Sequence, residues 1–217
     1  MIRTVALALA IVAYSTQLSD ATASSGLKDA LKVATERAVS ATSKDGGFLN
    51  DPKIRIPLPG KLEGMATGLR AVGMGSQVDE LEVAMNHAAE KAAGEATPVF
   101  VDAIQGMSFE DAAGILRGND TAATTYFKKK TTAPLTAKFR PIVDEAMKNV
   151  GVTKLYESLV GQYTSTPFVS APKLDLNGYV TDKALSGLFT VVGDEEKRIR
   201  KDPVARSTDL LKQVFGH

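Results

Sequence analysis

The stretch Ser76-Gln-Val-Asp-Glu-Leu-Glu-Val-Ala-Met-Asn-His-Ala-Ala-Glu-Lys-Ala-Ala93 decides the fold. Val78, Leu81, Met85, Ala88 and Ala92 recur at alternating steps of three and four, which is the spacing of one helix face. Ser76 and Asp79 at its start resemble a capping box. Ala84, Ala88, Ala89, Ala92 and Ala93 are small enough to let a neighbouring helix approach closely. A helix of this kind has to be surrounded by others, so the expected fold is all-α.

Downstream the helical pattern repeats. Thr97-Pro98 reads as a cap followed by a first-turn proline. Ser108-Phe-Glu-Asp111 is a second capping signature. Gly118-Asn119-Asp120 breaks the chain before a helix carrying Tyr126, Phe127 and three lysines. Leu135, Phe139, Ile142 and Ala146 follow at helical steps, with Pro141 expected to kink them. Val152 to Tyr163 continues the pattern. Asn177-Gly178 reads as a turn, and Thr181 as the cap of a helix running on as a charged rod through Glu195 and Ile199. A last helix is expected around Leu210, Leu211, Val214 and Phe215. Upstream, Leu27, Leu31, Ala34 and Ala38 share one face behind a Ser24 or Ser25 cap, and Leu62, Met65 and Leu69 mark a short helix. No repeat period is present. The expectation is a single-domain multi-helix bundle of about nine helices.

One segment breaks the rule. Phe48 to Pro59 holds Pro52, Pro57 and Pro59, which forbid a helix and discourage a central strand. Ile54, Ile56 and Leu58 alternate with Arg55 and Pro57. The segment is expected to be an extended arm laid across the helices, alternate apolar residues inward.

The first 23 residues read as a cleavable leader. Arg3 is a short positive region, Val5 to Tyr14 an apolar run, and Ala21-Thr22-Ala23 a small-x-small cleavage pattern. The apolar run falls short of the roughly 20 residues that a bilayer needs. The expected mature chain, residues 24–217, is one helical domain in the periplasm or secreted, with no transmembrane segment.

Composition narrows the function by exclusion. The formal charge is +1 and cysteine is absent. There is no strong field for nucleic acid, no disulfide and no thiolate chemistry. Two histidines, His87 and His217, give no zinc-binding spacing, so no metal and no cofactor is expected. Asp175, Asn177, Thr181 and Asp182 fail the calcium-loop pattern at Tyr179 and Val180. Gly73-Met-Gly75-Ser76 lacks the strand that a nucleotide loop requires. Glu110-Asp111 and Glu195-Glu196 are adjacent pairs that do not converge on a helix face; both read as acids near helix starts. Lys128 to Lys130 reads as a helix C-terminus. No catalytic residue is expected.

Several stretches carry a resemblance: Gly47-Phe-Leu-Asn-Asp-Pro52, Ile54-Arg-Ile-Pro-Leu-Pro59, Met85-Asn86 with Ala88-Ala-Glu-Lys91, Tyr126-Phe127, and Tyr179-Val-Thr-Asp-Lys-Ala-Leu185. From about Gly26 to Gly216 the chain resembles the bacterial family catalogued as domain of unknown function 4197. The resemblance implies an exported envelope protein of Gram-negative bacteria, with no established activity. It also implies a basic residue, often arginine, where His87 stands. The candidate ligand-binding or arm-anchoring residues are Asn50, Asp51, Arg55, Asn86, His87 and Tyr126. The leading function is a binding module for an apolar or small ligand, with the arm as lid. The alternative is an envelope protein–protein interaction or structural role.

Overall fold

A computed structural model describes residues 20–149, 152–165 and 174–201. The expected leader up to Ser19, most of the loop from Thr164 to Pro172 and the expected last helix lie outside them. The described residues form α1 (Asp20–Ser43), α2 (Gly60–Ala71), α3 (Gly75–Ala93), a 3-10 turn (Gly94–Ala96), α4 (Thr97–Gln105), α5 (Phe109–Arg117), α6 (Ala122–Asn149), α7 (Val152–Thr164) and α8 (Leu176–Lys201). No strand occurs among them. None of their helices is long and apolar enough to cross a membrane.

The α3 pattern does what its spacing requires. Val78, Leu81, Met85, Ala88 and Ala92 are all buried, and so are the small residues Ala84, Ala89 and Ala93. Helices α1, α2, α6, α7 and α8 all pack against it. The buried phenylalanines gather beside it: Phe100 meets Phe127 edge-on at 5.2 Å and Phe189 at 6.3 Å between ring centres. Edge-to-face pairs of this kind add about 0.5–1.5 kcal/mol beyond their burial.

Helix boundaries depart from expectation where a local cap signal met tertiary packing. Ser108 forms its capping box with Asp111 as read. Ser76 does not: α3 starts one residue earlier, Ser76 turns to Gln77, and Asp79 pairs with Arg70 instead. Thr97 opens α4 with its proline in the first turn but makes no side-chain cap. Helix α1 begins at Asp20 rather than at Ser24 or Ser25, so the expected cleavage point falls in its first turn.

Thr181 is buried inside α8, its hydroxyl donating to the Asn177 carbonyl. Asp175 caps that helix, its Oδ1 accepting from the Gly178 amide at 2.8 Å, so Asn177-Gly178 is helix and not turn. The two helices expected on either side of Pro134 are one, α6. Pro134 and Pro141 lie seven residues apart, two turns, on the exposed face of that helix. The carbonyls that lose their partner there, on Lys130 and Ala137, belong to exposed residues where water can replace it. Lys128 to Lys130 therefore sit mid-helix and not at a C-terminus, two of them over the rings of Phe189 and Tyr126.

The proline-bearing segment is non-helical, but only residues 55–59 run extended; residues 45–54 fold into successive turns. The Asn50 amide bonds the Gly46 carbonyl, and the Ile54 and Arg55 amides share that of Asp51. Gly46 sits at φ +72°, where a side chain would be strained and would strike Asn50. Ile54, Ile56 and Leu58 are buried and Arg55 and Pro57 exposed, so the alternation holds from Ile54 through the extended half.

Candidate functional site

The arm is held by one face of α3. Three residues one turn apart, Glu82, Asn86 and Glu90, bond to it. The Asn86 carboxamide is fully buried and pairs with the backbone of Ile56 in both directions: its Oδ1 accepts from the Ile56 amide at 2.8 Å, and its Nδ2 donates to the Ile56 carbonyl at 2.9 Å. The second Nδ2 bond goes to the Glu82 carbonyl. Asn86 thus replaces the strand partner that Ile56 lacks. One turn on, Glu90 Oε1 accepts from the amides of Phe48 and Leu49 at 3.0 and 3.1 Å. On the rim, Arg55 pairs with Glu82 at 2.8 Å.

Helix α8 closes the other side. The Tyr179 hydroxyl donates to the Pro57 carbonyl, and Lys53 pairs with Asp194 at 2.9 Å. Burial pushes the Tyr179 phenol up, with a further push from Glu82. Gly187 gives the Phe48 ring its place: a Cβ there would come within 2.5 Å of it and 3.2 Å of Ile54. The arm is packed into the core at van der Waals distance beneath Phe48 and Ile54, and is not a loose strap.

Glu90 has a second task. Its Oε2 lies 2.7 Å from His87 Nδ1, and that nitrogen lies 3.6 Å from Asp45 Oδ1 in the turn leaving α1. The Glu90 side chain is 4% exposed, His87 39% and Asp45 95%, so the cluster opens outward from a buried anchor.

The candidates separate accordingly. Asn86 and Arg55 anchor the arm, Asp51 shapes its turns by accepting from the Lys53 amide, and Asn50 is exposed beside Gly46. Tyr126 belongs elsewhere: its hydroxyl donates to the Ala103 carbonyl and fastens α6 to α4, with burial pushing the phenol up. The spacing of the two histidines gave no hint of Glu90 and Asp45 beside His87. The signal for Glu90 was present, three residues on along the same helix face; nothing local pointed to Asp45.

A second buried carboxylate was also missed. Glu196, in α8, caps the start of α6: its oxygens accept from the Ala123 and Thr124 amides and from the Thr124 hydroxyl at 2.7–2.9 Å. Arg200 completes it at 3.0 Å and reaches the Ile115 carbonyl. The acid does lie at a helix start, but of α6 and not of its own helix.

A family model described as a protein of unknown function, DUF4197, matches residues 17–216. The chain belongs to the DUF4197 family. No curated protein and no solved structure matches it. The match runs through both arm-holding helices, so in this DUF4197 member the arm and its clamp lie within the family region.

Proposed function

We propose that this chain is a non-catalytic protein of the bacterial envelope that works through its outer surface, docking another envelope protein. The observation that carries this reading is the arm's packing. The leading expectation from sequence, a lid over a ligand chamber, needs space beneath Phe48 and Ile54, where Gly187 leaves no room even for a methyl group. Among the described residues every buried side-chain nitrogen and oxygen has a partner, as in a core built for packing.

Phe109 supplies the apolar anchor for docking. It opens α5 with 48% of its surface exposed. Beside it is a cleft of about 130 Å³ walled by Ala112, Leu116, Arg117 and the start of α1 at Ala23 and Ser24. That is well under the roughly 300–1,000 Å³ of a small-molecule pocket and suits one inserted apolar side chain, the usual anchor of an interface. Removal of the leader after Ala23 would set the new amino group of Ser24 at its rim.

The test is photo-crosslinking in cells with a photoreactive residue at position 109, against one at the exposed position 129. A discrete adduct at 109 and none at 129 is the expected outcome. No adduct at 109, or a small molecule retained in native mass spectrometry, would overturn the reading.

A further inference from the structure

We infer that Asp45, His87 and Glu90 form a binding site for one divalent transition cation of the zinc class. It uses different residues from the Phe109 cleft and stands independently of the docking proposal.

The three ligand atoms, Asp45 Oδ1, His87 Nδ1 and Glu90 Oε2, all lie within 4.8 Å of one another. Bonds of about 2.0–2.1 Å in a tetrahedral site put neighbouring ligand atoms about 3.3 Å apart. The Nδ1 to Oδ1 spacing of 3.6 Å is already close to that. The Nδ1 to Oε2 spacing of 2.7 Å is a hydrogen bond; an ion replacing its proton would have to widen it by about half an ångström. The imidazole is 39% exposed and can take that shift toward solvent.

The carboxylates supply complementary properties. Glu90 is fixed, since its other oxygen is held by the Phe48 and Leu49 amides. Such outer hydrogen bonds orient a ligand and hold it ready. Asp45 lies at the open mouth, its backbone set by the turn in which the Gly47 amide bonds the Lys44 carbonyl. Two carboxylates and a neutral imidazole balance the charge of a divalent ion and leave the fourth position to water. One imidazole among so few oxygens disfavours calcium, which takes six to eight oxygen ligands, and suits zinc or cobalt.

The alternative is a plain hydrogen-bonded pair that steadies Glu90. His87→Arg separates the two readings: a guanidinium keeps a hydrogen-bond donor beside Glu90 but cannot ligate a metal. The tag-free chain is titrated with Co²⁺ by visible absorption and with Zn²⁺ by competition and thermal melting. One equivalent should bind, with ligand-field bands displaced by zinc. Saturating zinc should raise the melting temperature by about 5 °C. Asp45→Asn should weaken binding about tenfold or more. His87→Arg should abolish it while melting like the metal-free wild type. Absence of one-equivalent binding by the wild type, or equal binding by His87→Arg, overturns the assignment.

Discussion

Glu90 and Glu196 are two solutions to one problem. Each is a carboxylate on a helix with its side chain 4% exposed, and each collects a consecutive pair of backbone amides from another part of the chain. They differ in what balances the charge. Glu196 adds the Thr124 hydroxyl and the Arg200 guanidinium, itself only 12% exposed. Its compensation is permanent and sealed. Glu90 has a half-exposed imidazole and, beyond it, an exposed carboxylate. Its compensation is exchangeable, with water at the door. A buried carboxylate that structure alone requires is best served by arginine; the histidine at 87 is the feature that structure alone leaves unexplained.

The comparison breaks first at Glu196. Glu196→Ala orphans two amides and takes the carboxylate partner from the largely buried Arg200, and should cost about 3–5 kcal/mol of stability, read by urea unfolding. Glu90→Ala should cost less, about 2–3 kcal/mol, because its imidazole partner, 39% exposed, can turn to solvent. If the order reversed, the sealed and open carboxylates would not differ as described. Asn86→Leu removes both bonds to Ile56 and should cost about 2 kcal/mol; hydrogen exchange should accelerate at Ile56 while the amides of α6 stay protected. Gly187→Ala forces the Phe48 ring aside and should cost about 1–3 kcal/mol. A neutral result there would mean the arm is looser than its packing implies, and would revive the ligand-chamber reading.

The smallest effect belongs to a third, exposed carboxylate. Asp175 also accepts a backbone amide, from Gly178, and pairs with Arg140. The Gly178 amide above all, helped by Arg140, holds its pKa below the usual carboxylate value, with burial opposing them. A depressed folded pKa means stability that is present above the unfolded value and lost as pH falls through the folded one. Asp175→Asn should therefore flatten the acid limb of the stability curve. Its cost at neutral pH should stay below about 1 kcal/mol, because the side chain is 61% exposed and screened. A larger cost would show that exposure is not what separates the three.

The sequence was most legible where one residue's neighbours determine its fate. The period of α3, the Ser108 capping box and the buried alternation of Ile54, Ile56 and Leu58 are local patterns, and each is present. It was least legible where a side chain serves a distant backbone. Glu196 reads as half of an acidic pair in a charged rod, yet it caps a helix 72 residues earlier. Thr181 has the composition of a cap, but α8 had already started at Leu176 under Asp175. Asn86 and Arg55 stand in the sequence as ligand-binding or arm-anchoring candidates, and their bonds join the arm to α3. Tyr126 stands beside them as a candidate, but it fastens another part of the bundle.

The clamp also constrains the order in which the molecule can be built. The arm's bonds to α8 join Lys53 to Asp194 and Tyr179 to Pro57, 141 and 122 residues apart in the chain. A chain that emerges amino end first holds Phe48 and Ile54 without their pocket until the last described helix arrives. Contacts so distant in sequence are made late and slowly. During synthesis the amino-terminal helix and its turn are therefore finished long before they are housed: Phe48 and Ile54 wait, apolar and uncovered, for a helix more than 120 residues further on.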